Sequence, residues 1–301
     1  MNTLVAGCKI NLGLRITGRR PDGYHELDSL FCPLPRPCDR LRLRITEGSG
    51  LRVLCDTPGL NPEDNTLTRA YAAFAAATGA GPEALPALEI TLRKGIPVGS
   101  GLGGGSSDAA ALLRWLNAHA PQPLEHTALT KAGLQVGADV PFFLQPGPQL
   151  KACRVRGVGE QLEPAGKQLA GLRLVLVCPA HSVSTAQAYA DFDAARTDGT
   201  AAGPAGQNNL TKAEAGANGT FLSEAQPVVD LHNDLEAVVF ARHPQLAAIK
   251  AQLLRLGAFA AGMSGSGSSI LGLFHLEALM EARAAAAVLQ EEGWRVYALT
   301  L

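Results

Sequence analysis

Apolar and polar positions alternate in several short runs of the chain, and a period of two predicts strands. Residues 39–46 read Asp-Arg-Leu-Arg-Leu-Arg-Ile-Thr, so every second side chain is apolar. We expect Leu51–Cys55 to pair with this strand across the Gly-rich turn between them. The continuous apolar run Leu172–Cys178 predicts a buried strand. Further strands are predicted over residues 4–17, 88–92, 270–274 and 294–301.

Other segments repeat apolar residues at helical spacing. One predicted helix starts at Asn65, whose side chain can cap it, and another begins near Ser107. The remaining predicted helices cover residues 124–136, 231–239, 244–256 and 276–292. Pro21-Asp22-Gly23 predicts a turn, and Thr197–Asn218 predicts a surface loop. The mixture indicates an α+β chain, which we divide near Pro146-Gly147-Pro148 into residues 1–150 and 151–301.

The composition excludes some classes of binding partner but says little about the reaction. The 301 residues are 47% apolar and 18% charged, with a formal net charge of -1. We therefore expect neither nucleic acid nor an anionic membrane surface as a partner, and no apolar run is long enough to span a bilayer. The six cysteines form no Cys-x-x-Cys pair, so we interpret most of them as core residues. We expect the protein to lie in the reducing cytoplasm.

The segment from Pro97 to Asp108 carries the strongest chemical signal. Glycines that accept positive φ alternate with serines and run directly into a helix former. Main-chain N–H groups at a helix N-terminus bind phosphate. A Walker loop is excluded because no Gly-Lys-Ser/Thr follows the glycines. A dinucleotide fold is disfavoured because the acidic residue about twenty positions on, Glu125, does not end a strand.

Three side chains have both a structural and a chemical interpretation at this point. Lys9 lies within an apolar strand, as an edge-strand lysine or as a site residue. Asp139 precedes Val140-Pro141, where it caps a turn or faces a ligand. Ser107 is a helix cap, a phosphate or Mg²⁺ ligand, or both. Asp108 is a helix N-terminal charge.

The pattern Pro-x-x-x-Gly-Leu-Gly-Gly-Gly-Ser-Ser-Asp-Ala-Ala resembles the ATP-binding signature of the galactose, homoserine, mevalonate and phosphomevalonate kinase superfamily. The triple glycine resembles one branch, the 4-diphosphocytidyl-2-C-methyl-D-erythritol kinases. Three further segments are similar to motifs of that branch and occur in the same order. They are residues 9–14 with 18–27, residues 137–143, and residues 263–267.

This resemblance implies a two-domain small-molecule kinase. Its N-terminal ATP-binding domain is ribosomal-protein-S5-domain-2-like and its C-terminal domain is ferredoxin-like. The implied reaction transfers the γ-phosphoryl of ATP, with Mg²⁺, to the 2-hydroxyl of 4-diphosphocytidyl-2-C-methyl-D-erythritol in the non-mevalonate isoprenoid pathway. Lys9 and Asp139 are the implied catalytic pair. The implied ATP-binding residues are Pro97, Val98, Gly99, Ser100, Gly101, Leu102, Gly103, Gly104, Gly105, Ser106 and Ser107.

The resemblance also implies how the substrate is held. Tyr24 stacks on the cytosine and His25 bonds to the base edge, although the pair also suits a plain hairpin tip. Asn11 bonds to the substrate hydroxyls, and Tyr189 provides a second stacking face. Gly265, Ser266 and Gly267 approach a diphosphate or γ-phosphate, or simply connect two strands. The implied substrate-binding residues are Asn11, Tyr24, His25, Thr185, Tyr189, Gly265, Ser266 and Gly267.

Two alternatives remain open. One is a homoserine- or mevalonate-type kinase, which Tyr24-His25 argues against because those substrates carry no base. The other is a non-catalytic nucleotide-binding relative, which the presence of both Lys9 and Asp139 argues against. We expect a small-molecule cytidine-diphosphate substrate and a monomer or homodimer.

Overall fold

The computed structural model describes residues 2–55, 57, 60–79, 85–147, 149–165, 169, 171–197, 221–223, 226–228 and 231–301. Its first sheet has the order β3-β4-β2-β5-β6, with β1 pairing to β2. The strands of this sheet are β1 (Asn2–Arg19), β2 (His25–Ile45), β3 (Leu51–Leu54), β4 (Leu88–Arg93), β5 (Cys153–Gly157) and β6 (Gln161–Pro164). Its helices are α1 (Thr66–Thr78), α2 (Gly104–His119), α3 (His126–Val136) and α4 (Val140–Phe143).

The long hairpin of β1 and β2 organises this sheet. The predicted turn at Pro21-Asp22-Gly23 is confirmed, because the Gly23 N–H donates to the Arg20 carbonyl at 3.0 Å and Gly23 adopts a φ of 89°. On its other edge, β2 pairs with β5 through its first half and with β4 through its second half. Strand β2 therefore brings together β1, β4 and β5, which are distant from one another in sequence.

The predicted pairing of the 51–55 strand with the 39–46 strand is wrong. β3 pairs in parallel with β4, with Leu51 opposite Leu88, and β4 lies between β3 and β2. Helix α1 forms the crossover that a parallel pair requires. A local hairpin signal could not show that a strand from later in the chain inserts between the two.

Helix α1 begins where its cap predicts. The Asn65 side chain accepts hydrogen bonds from the Leu67 and Thr68 N–H groups, and the Thr68 hydroxyl oxygen accepts one from the Asn65 N–H. This capping box satisfies N–H groups that would otherwise have no acceptor. Helices α1 to α4 pack on the first sheet around a core that includes Phe31, Phe74, Ile90, Leu112 and Phe142.

The second sheet has the order β10-β11-β7-β12, with antiparallel neighbours throughout. Taken in chain order, the strands are arranged 2-3-1-4, which is the ferredoxin-like order. The elements of this half are β7 (Arg173–Cys178), α5 (Thr185–Thr197), β8 (Phe221–Ser223), β9 (Gln226–Val228), α6 (Glu236–Arg242), α7 (Pro244–Arg255), β10 (Ala260–Met263), β11 (Ile270–Phe274), α8 (Leu279–Glu291) and β12 (Arg295–Thr300). The two-domain α+β prediction is confirmed.

Alternate residues of β7 face two different cores. Val175 and Val177 pack beneath the helices of the second half, whereas Leu174 and Leu176 pack against Ile10 of β1. A period of two places successive side chains on opposite faces. The two halves are therefore joined by a packed apolar layer.

The division at residue 150 stays a prediction. By sheet membership, however, the first layer continues to the end of β6 at Pro164, since β5 pairs with β2. Residues 198–218 of the predicted loop, and Pro148 of the predicted boundary, lie outside the described residues. None of the helices in the described part of the chain is long and apolar enough to cross a membrane. The six cysteines are free thiols, and Cys8, Cys32, Cys153 and Cys178 are buried.

Candidate active site

A cleft of about 440 Å³ opens between the two halves. Residues 97–106 line it, together with Asn65, Thr66 and Arg69 from the cap and the start of α1. Lys9, Asn11 and Asp139 lie along it, together with Thr185, Tyr189, Gly265 and Ser266 from the second half. The structure thus brings together most of the predicted site residues. Tyr24, His25, Ser107 and Gly267 do not line this cleft.

The glycine-rich loop ends in helix α2, which begins at Gly104 with Gly103 as its N-cap. The first-turn N–H groups have no acceptor within the helix, so they suit an anion. Gly99, Gly101 and Gly103 have φ values of 64°, 75° and 70°. A Cβ on Gly101 would overlap the Ser264 carbonyl oxygen. The glycines therefore serve both the backbone conformation and close packing.

The predicted cap and helix start at Ser107 are wrong. Ser107 is the fourth helical residue, and its N–H donates to the Gly103 carbonyl at 2.9 Å. Its side chain is buried and lines a separate cavity of about 230 Å³ beside Arg114. Ser106 is the hydroxyl residue of this pair that lines the cleft. The N-cap of α2 is Gly103 in the left-handed conformation, and no side chain caps this helix.

Both halves of the molecule hold the glycine-rich loop in place. The Gly99 carbonyl accepts from the Val183 N–H at 2.9 Å, and the Ser100 carbonyl accepts from the Ser269 N–H at 3.1 Å. The Leu102 carbonyl accepts from the Lys9 N–H at 3.0 Å. The loop is therefore fixed by its carbonyl groups before any ligand binds.

Lys9 and Asp139 face each other in the cleft. Their Nζ and Oδ2 atoms are 3.3 Å apart, and the side chains are 5% and 28% exposed. Lys9 also donates to Asn11 Oδ1 at 2.6 Å, and its Nζ lies 4.5 Å from the centroid of the Phe31 ring. An ammonium buried in this way needs such partners. The edge-strand interpretation of Lys9 does not fit this burial.

Asn11 connects the Lys9 ammonium to the backbone through a chain of hydrogen bonds. Its amide Nδ2 donates to Ser29 Oγ at 2.9 Å, and the Ser29 hydroxyl donates to the Gly13 carbonyl at 2.6 Å. Asp139 stands just before α4 and makes no capping hydrogen bond. Its carboxylate is therefore directed to Lys9 and the cleft rather than to the turn.

A second charged cluster lies beside the glycine-rich loop, and no motif in the sequence indicates it. Lys94 donates to Asp39 Oδ2 and, at 2.9 Å, to Asp108 Oδ2. The Lys94, Asp39 and Asp108 side chains are 8%, 0% and 2% exposed. Asp39 Oδ1 also accepts from the Gly95 and Ile96 N–H groups at 2.7 and 2.8 Å. An Asp within the alternating 39–46 strand looks solvent-facing by periodicity alone.

The residues predicted to hold a base are only partly assembled. The His25 ring stacks on the Tyr189 ring with centroids 4.7 Å apart and planes at 24°. His25 Nε2 lies 2.8 Å from Asp193 Oδ1, and Arg19 Nη1 lies 3.2 Å from Asp193 Oδ2. Tyr24 is 65% exposed. Burial, together with the Asp139 charge, raises the pKa of Tyr189 to about 12, so the phenol is neutral at physiological pH.

The loop after β10 is held by a residue from before α6. Asn233 Nδ2 donates to the Met263 and Gly265 carbonyls at 2.9 and 2.7 Å. Ser266 Oγ lies 2.8 Å from Thr185 Oγ1, so this loop and the start of α5 meet at the cleft. Asn233 therefore supports the conformation of this loop.

Comparison with known proteins gives the same architecture. Residues 65–147 match the family model "GHMP kinases N terminal domain", and residues 215–293 match "GHMP kinases C terminal". A crystal structure of 4-(cytidine 5'-diphospho)-2C-methyl-D-erythritol kinase superposes with a TM-score of 0.71 at 33% identity, covering 99% of this chain and 98% of that one. A homoserine kinase from Cytophaga hutchinsonii, at 19% identity and a TM-score of 0.60 over 100% of this chain and 95% of its own, shows a shared fold.

Sequence relatives are closer still. The 4-diphosphocytidyl-2-C-methyl-D-erythritol kinase of Nitratidesulfovibrio vulgaris strain Hildenborough is 45% identical over 98% of this chain and 97% of its own length. The enzyme of the same name from Solidesulfovibrio magneticus strain RS-1 is 46% identical over 96% and 93%. Identity of this extent, together with the matched fold, shows that the chain belongs to the 4-diphosphocytidyl-2-C-methyl-D-erythritol kinase family of the GHMP kinases.

Proposed function

We propose that this protein phosphorylates the 2-hydroxyl of 4-diphosphocytidyl-2-C-methyl-D-erythritol with ATP, in isoprenoid precursor synthesis. The observation that carries the proposal is the meeting of a glycine-rich helix N-terminus and the Lys9–Asp139 pair in one cleft. The near full-length relatives named for this substrate support the choice of acceptor.

The nucleotide phosphates are assigned to the cradle formed by residues 97–106. Phosphoryl transfer depends mainly on positioning and charge neutralisation. The loop carbonyls are occupied by the rest of the protein, whereas the first-turn N–H groups of α2 remain to bind phosphate oxygens. We assign Asn65, Thr66 and Arg69 to the nucleoside part, because they line the same cleft and the Thr66 side chain lies beside Gly105 of the cradle.

Lys9 and Asp139 are assigned to the acceptor hydroxyl. Asp139 accepts the proton of that hydroxyl, and Lys9 holds Asp139 in place and offsets the charge of the transferred phosphoryl group. The Lys9–Asn11–Ser29 chain of hydrogen bonds keeps the ammonium directed into the cleft. Asn11 then also lies within reach of substrate hydroxyls.

Mg²⁺ is assigned to the nucleotide rather than to a protein cage. Within the described residues, no group of three or more His, Cys, Asp or Glu side chains is arranged to hold a metal. The Ser106 hydroxyl lines the cleft and is a hard oxygen donor of the kind Mg²⁺ accepts. The ion would neutralise charge on the β- and γ-phosphates.

The cytosine is assigned to the part of the cleft lined by Tyr189, against which the His25 ring stacks. Tyr189 is a half-buried aromatic face at the cleft, and Asp193, paired with Arg19, holds the His25 ring beside it. Exposed Tyr24 is free to close over a base from the other side. A base gains stacking energy from such a platform.

The direct test offers purified protein ATP-Mg²⁺ and, separately, 4-diphosphocytidyl-2-C-methyl-D-erythritol, homoserine and mevalonate. We expect phosphorylation of the cytidyl substrate alone, measured by ADP release and by ³¹P NMR of the product. Turnover of homoserine or mevalonate without the cytidyl substrate would refute the assignment. ATP binding without turnover of any of these alcohols would favour a non-catalytic relative.

A further inference from the structure

Three backbone segments meet at the buried hydroxyl of Ser264. The Ser264 Oγ accepts from the Asn11 N–H at 3.1 Å, and the hydroxyl donates to the Gly101 carbonyl at 3.2 Å. Ser264 is 0% exposed. Asn11 lies in β1, Gly101 lies in the glycine-rich loop, and Ser264 follows β10 in the second half of the molecule. One side chain therefore connects three segments that are distant in sequence.

A hydroxyl group suits this position because it donates one hydrogen bond and accepts others. The Asn11 N–H can only donate, and the Gly101 carbonyl can only accept, so the same oxygen serves both. Without the hydroxyl, these two backbone groups would lose this partner in the protein interior, and an unsatisfied buried polar group is costly. Ser264 is therefore a hydrogen-bonded joint between β1 and the glycine-rich loop.

Close packing around this joint leaves little room for another arrangement. A Cβ on Gly101 would lie 2.0 Å from the Ser264 carbonyl oxygen, and one on Gly265 would lie 3.0 Å from Asn11 Oδ1. The Ser264 backbone is also held, because its N–H donates to the Ser269 carbonyl at 2.9 Å. The hydroxyl is therefore presented from a fixed backbone.

The two segments that Ser264 joins carry the two sides of the proposed reaction. Asn11 Oδ1 accepts from the Lys9 ammonium at 2.6 Å, whereas Gly101 belongs to the loop assigned to the nucleotide phosphates. The strand and the loop also meet directly, where the Lys9 N–H donates to the Leu102 carbonyl at 3.0 Å. Two residues further along β1, their connection passes through the Ser264 hydroxyl instead. This hydroxyl therefore helps to set the separation between the acceptor side and the phosphate side.

We propose that Ser264 is a positioning residue for phosphoryl transfer, whose hydroxyl holds the strand carrying Lys9 and Asn11 in register with the loop that binds the nucleotide phosphates. Phosphoryl transfer depends on the alignment of the acceptor oxygen with the transferred group. A misplacement of about 1 Å can lower a rate ~10²-fold. Ser264 acts through its two neighbours, since the described residues that line the cleft include Gly265 and Ser266 but not Ser264. This inference rests on the proposed kinase function.

The test compares Ser264→Ala with Ser268→Ala by steady-state kinetics and thermal unfolding, with ATP-Mg²⁺ and 4-diphosphocytidyl-2-C-methyl-D-erythritol. Ser268 lies in the same loop, is also 0% exposed, and donates through its hydroxyl to the His181 carbonyl at 2.7 Å. Both variants thus lose a buried hydroxyl, and we expect similar losses of melting temperature. In Ser264→Ala alone, kcat should fall ~10–10²-fold while the KM values for both substrates stay within about twofold of the wild type.

A conservative variant grades the effect. The thiol of Ser264→Cys is similar in shape to the hydroxyl but is a weaker donor and acceptor, so its kcat should lie between those of Ser264→Ala and the wild type. If Ser264→Ala does not fold, Ser264→Cys takes its place in the comparison. Retained kcat in the variant that folds, an equal loss of kcat in Ser268→Ala, or a raised KM for ATP at unchanged kcat would each overturn the proposal.

Amide hydrogen exchange examines the same joint without turnover. The peptides that contain Asn11 and Gly101 should exchange faster in the folded Ser264 variant than in the wild type, and at the wild-type rate in Ser268→Ala. Unchanged exchange in the Ser264 variant would equally overturn the proposal. Exchange needs no acceptor, so it decides this inference even if the wild-type protein does not phosphorylate the cytidyl substrate. That result would count against the proposed function alone, so the two failures are distinguishable.

Discussion

Two lysines, Lys9 and Lys94, lie beside Gly103 and Gly104, and they differ in the number and exposure of the carboxyl groups that they face. A Cβ on Gly103 would lie 3.2 Å from Lys9 Cε, and one on Gly104 would lie 3.3 Å from Lys94 Nζ. Lys9 faces one carboxylate that is 28% exposed. Lys94 faces two carboxyls that are 0% and 2% exposed.

This difference indicates two separate tasks. The Lys9–Asp139 pair opens to the cleft, where a substrate can exchange with its contacts. The Lys94 cluster is closed by comparison: Lys94 and Asp108 line the same cleft, but both carboxyls of the cluster are almost completely buried, and they join β2, the residue after β4 and the first turns of α2. We therefore expect the Lys9–Asp139 pair to take part in the reaction. We expect the Lys94 cluster to stabilise the glycine-rich loop and the start of α2. Substitutions on the two sides should therefore separate activity from stability.

The largest effect is expected on the open side. Asp139→Asn keeps the shape but removes the proton acceptor, so kcat should fall ~10²–10⁴-fold. The KM for ATP and the melting temperature should change little. Steady-state kinetics and thermal unfolding measure this, with Asp22→Asn on the exposed hairpin turn as the control. Retained kcat in Asp139→Asn would remove Asp139 from the mechanism.

The closed side should respond in stability. Lys94→Met leaves two buried carboxyls facing each other without a counter-charge, which should lower the free energy of unfolding by about 3–5 kcal/mol. Lys9→Met, beside a partly exposed carboxylate, should cost less stability yet abolish activity. Urea unfolding of the two variants compares them. Equal destabilisation would show that both lysines are structural.

An intermediate effect is expected where the loop meets the second half. In Gly101→Ala the new Cβ would overlap the Ser264 carbonyl oxygen, and the alanine would have to adopt a φ of 75°. We therefore expect the free energy of unfolding to fall by about 1–3 kcal/mol and the KM for ATP to rise. Gly48→Ala is the matched control, since its φ is 93° and nothing lies within 4 Å of its Cβ. If both variants lose the same stability, the φ penalty alone explains the loss.

The smallest effect is expected at the base end. Asp193→Asn removes the charged partner of His25, and we expect about tenfold weaker binding of cytidine diphosphate, because hydrogen bonds to a charged group contribute more than neutral ones. Asp191→Asn, on the same helix but paired to Arg242, should leave binding unchanged. Calorimetry of both variants tests this. A matching loss in Asp191→Asn would point to damage of α5 rather than of the base site.

Local signals were sufficient for many elements. The Asn65 cap, the turn at Gly23 and the apolar run of β7 depend on neighbours in sequence, and each is confirmed. The β3 pairing and the Ser107 cap were wrong. In the first case another strand intervened, and in the second a left-handed glycine ended the loop.

The sequence by itself determined the phosphate cradle, the α+β class and the motifs that mark the family, because these depend on residue type and short spacing. The family resemblance implied the pairing of Lys9 and Asp139, but only the tertiary structure brought the Lys9 Nζ to 3.3 Å from Asp139 Oδ2 and buried the ammonium. It alone also placed Asp39 and Lys94 beneath the cradle. The burial and charge of such contacts depend on which strands become neighbours, and no local pattern records that.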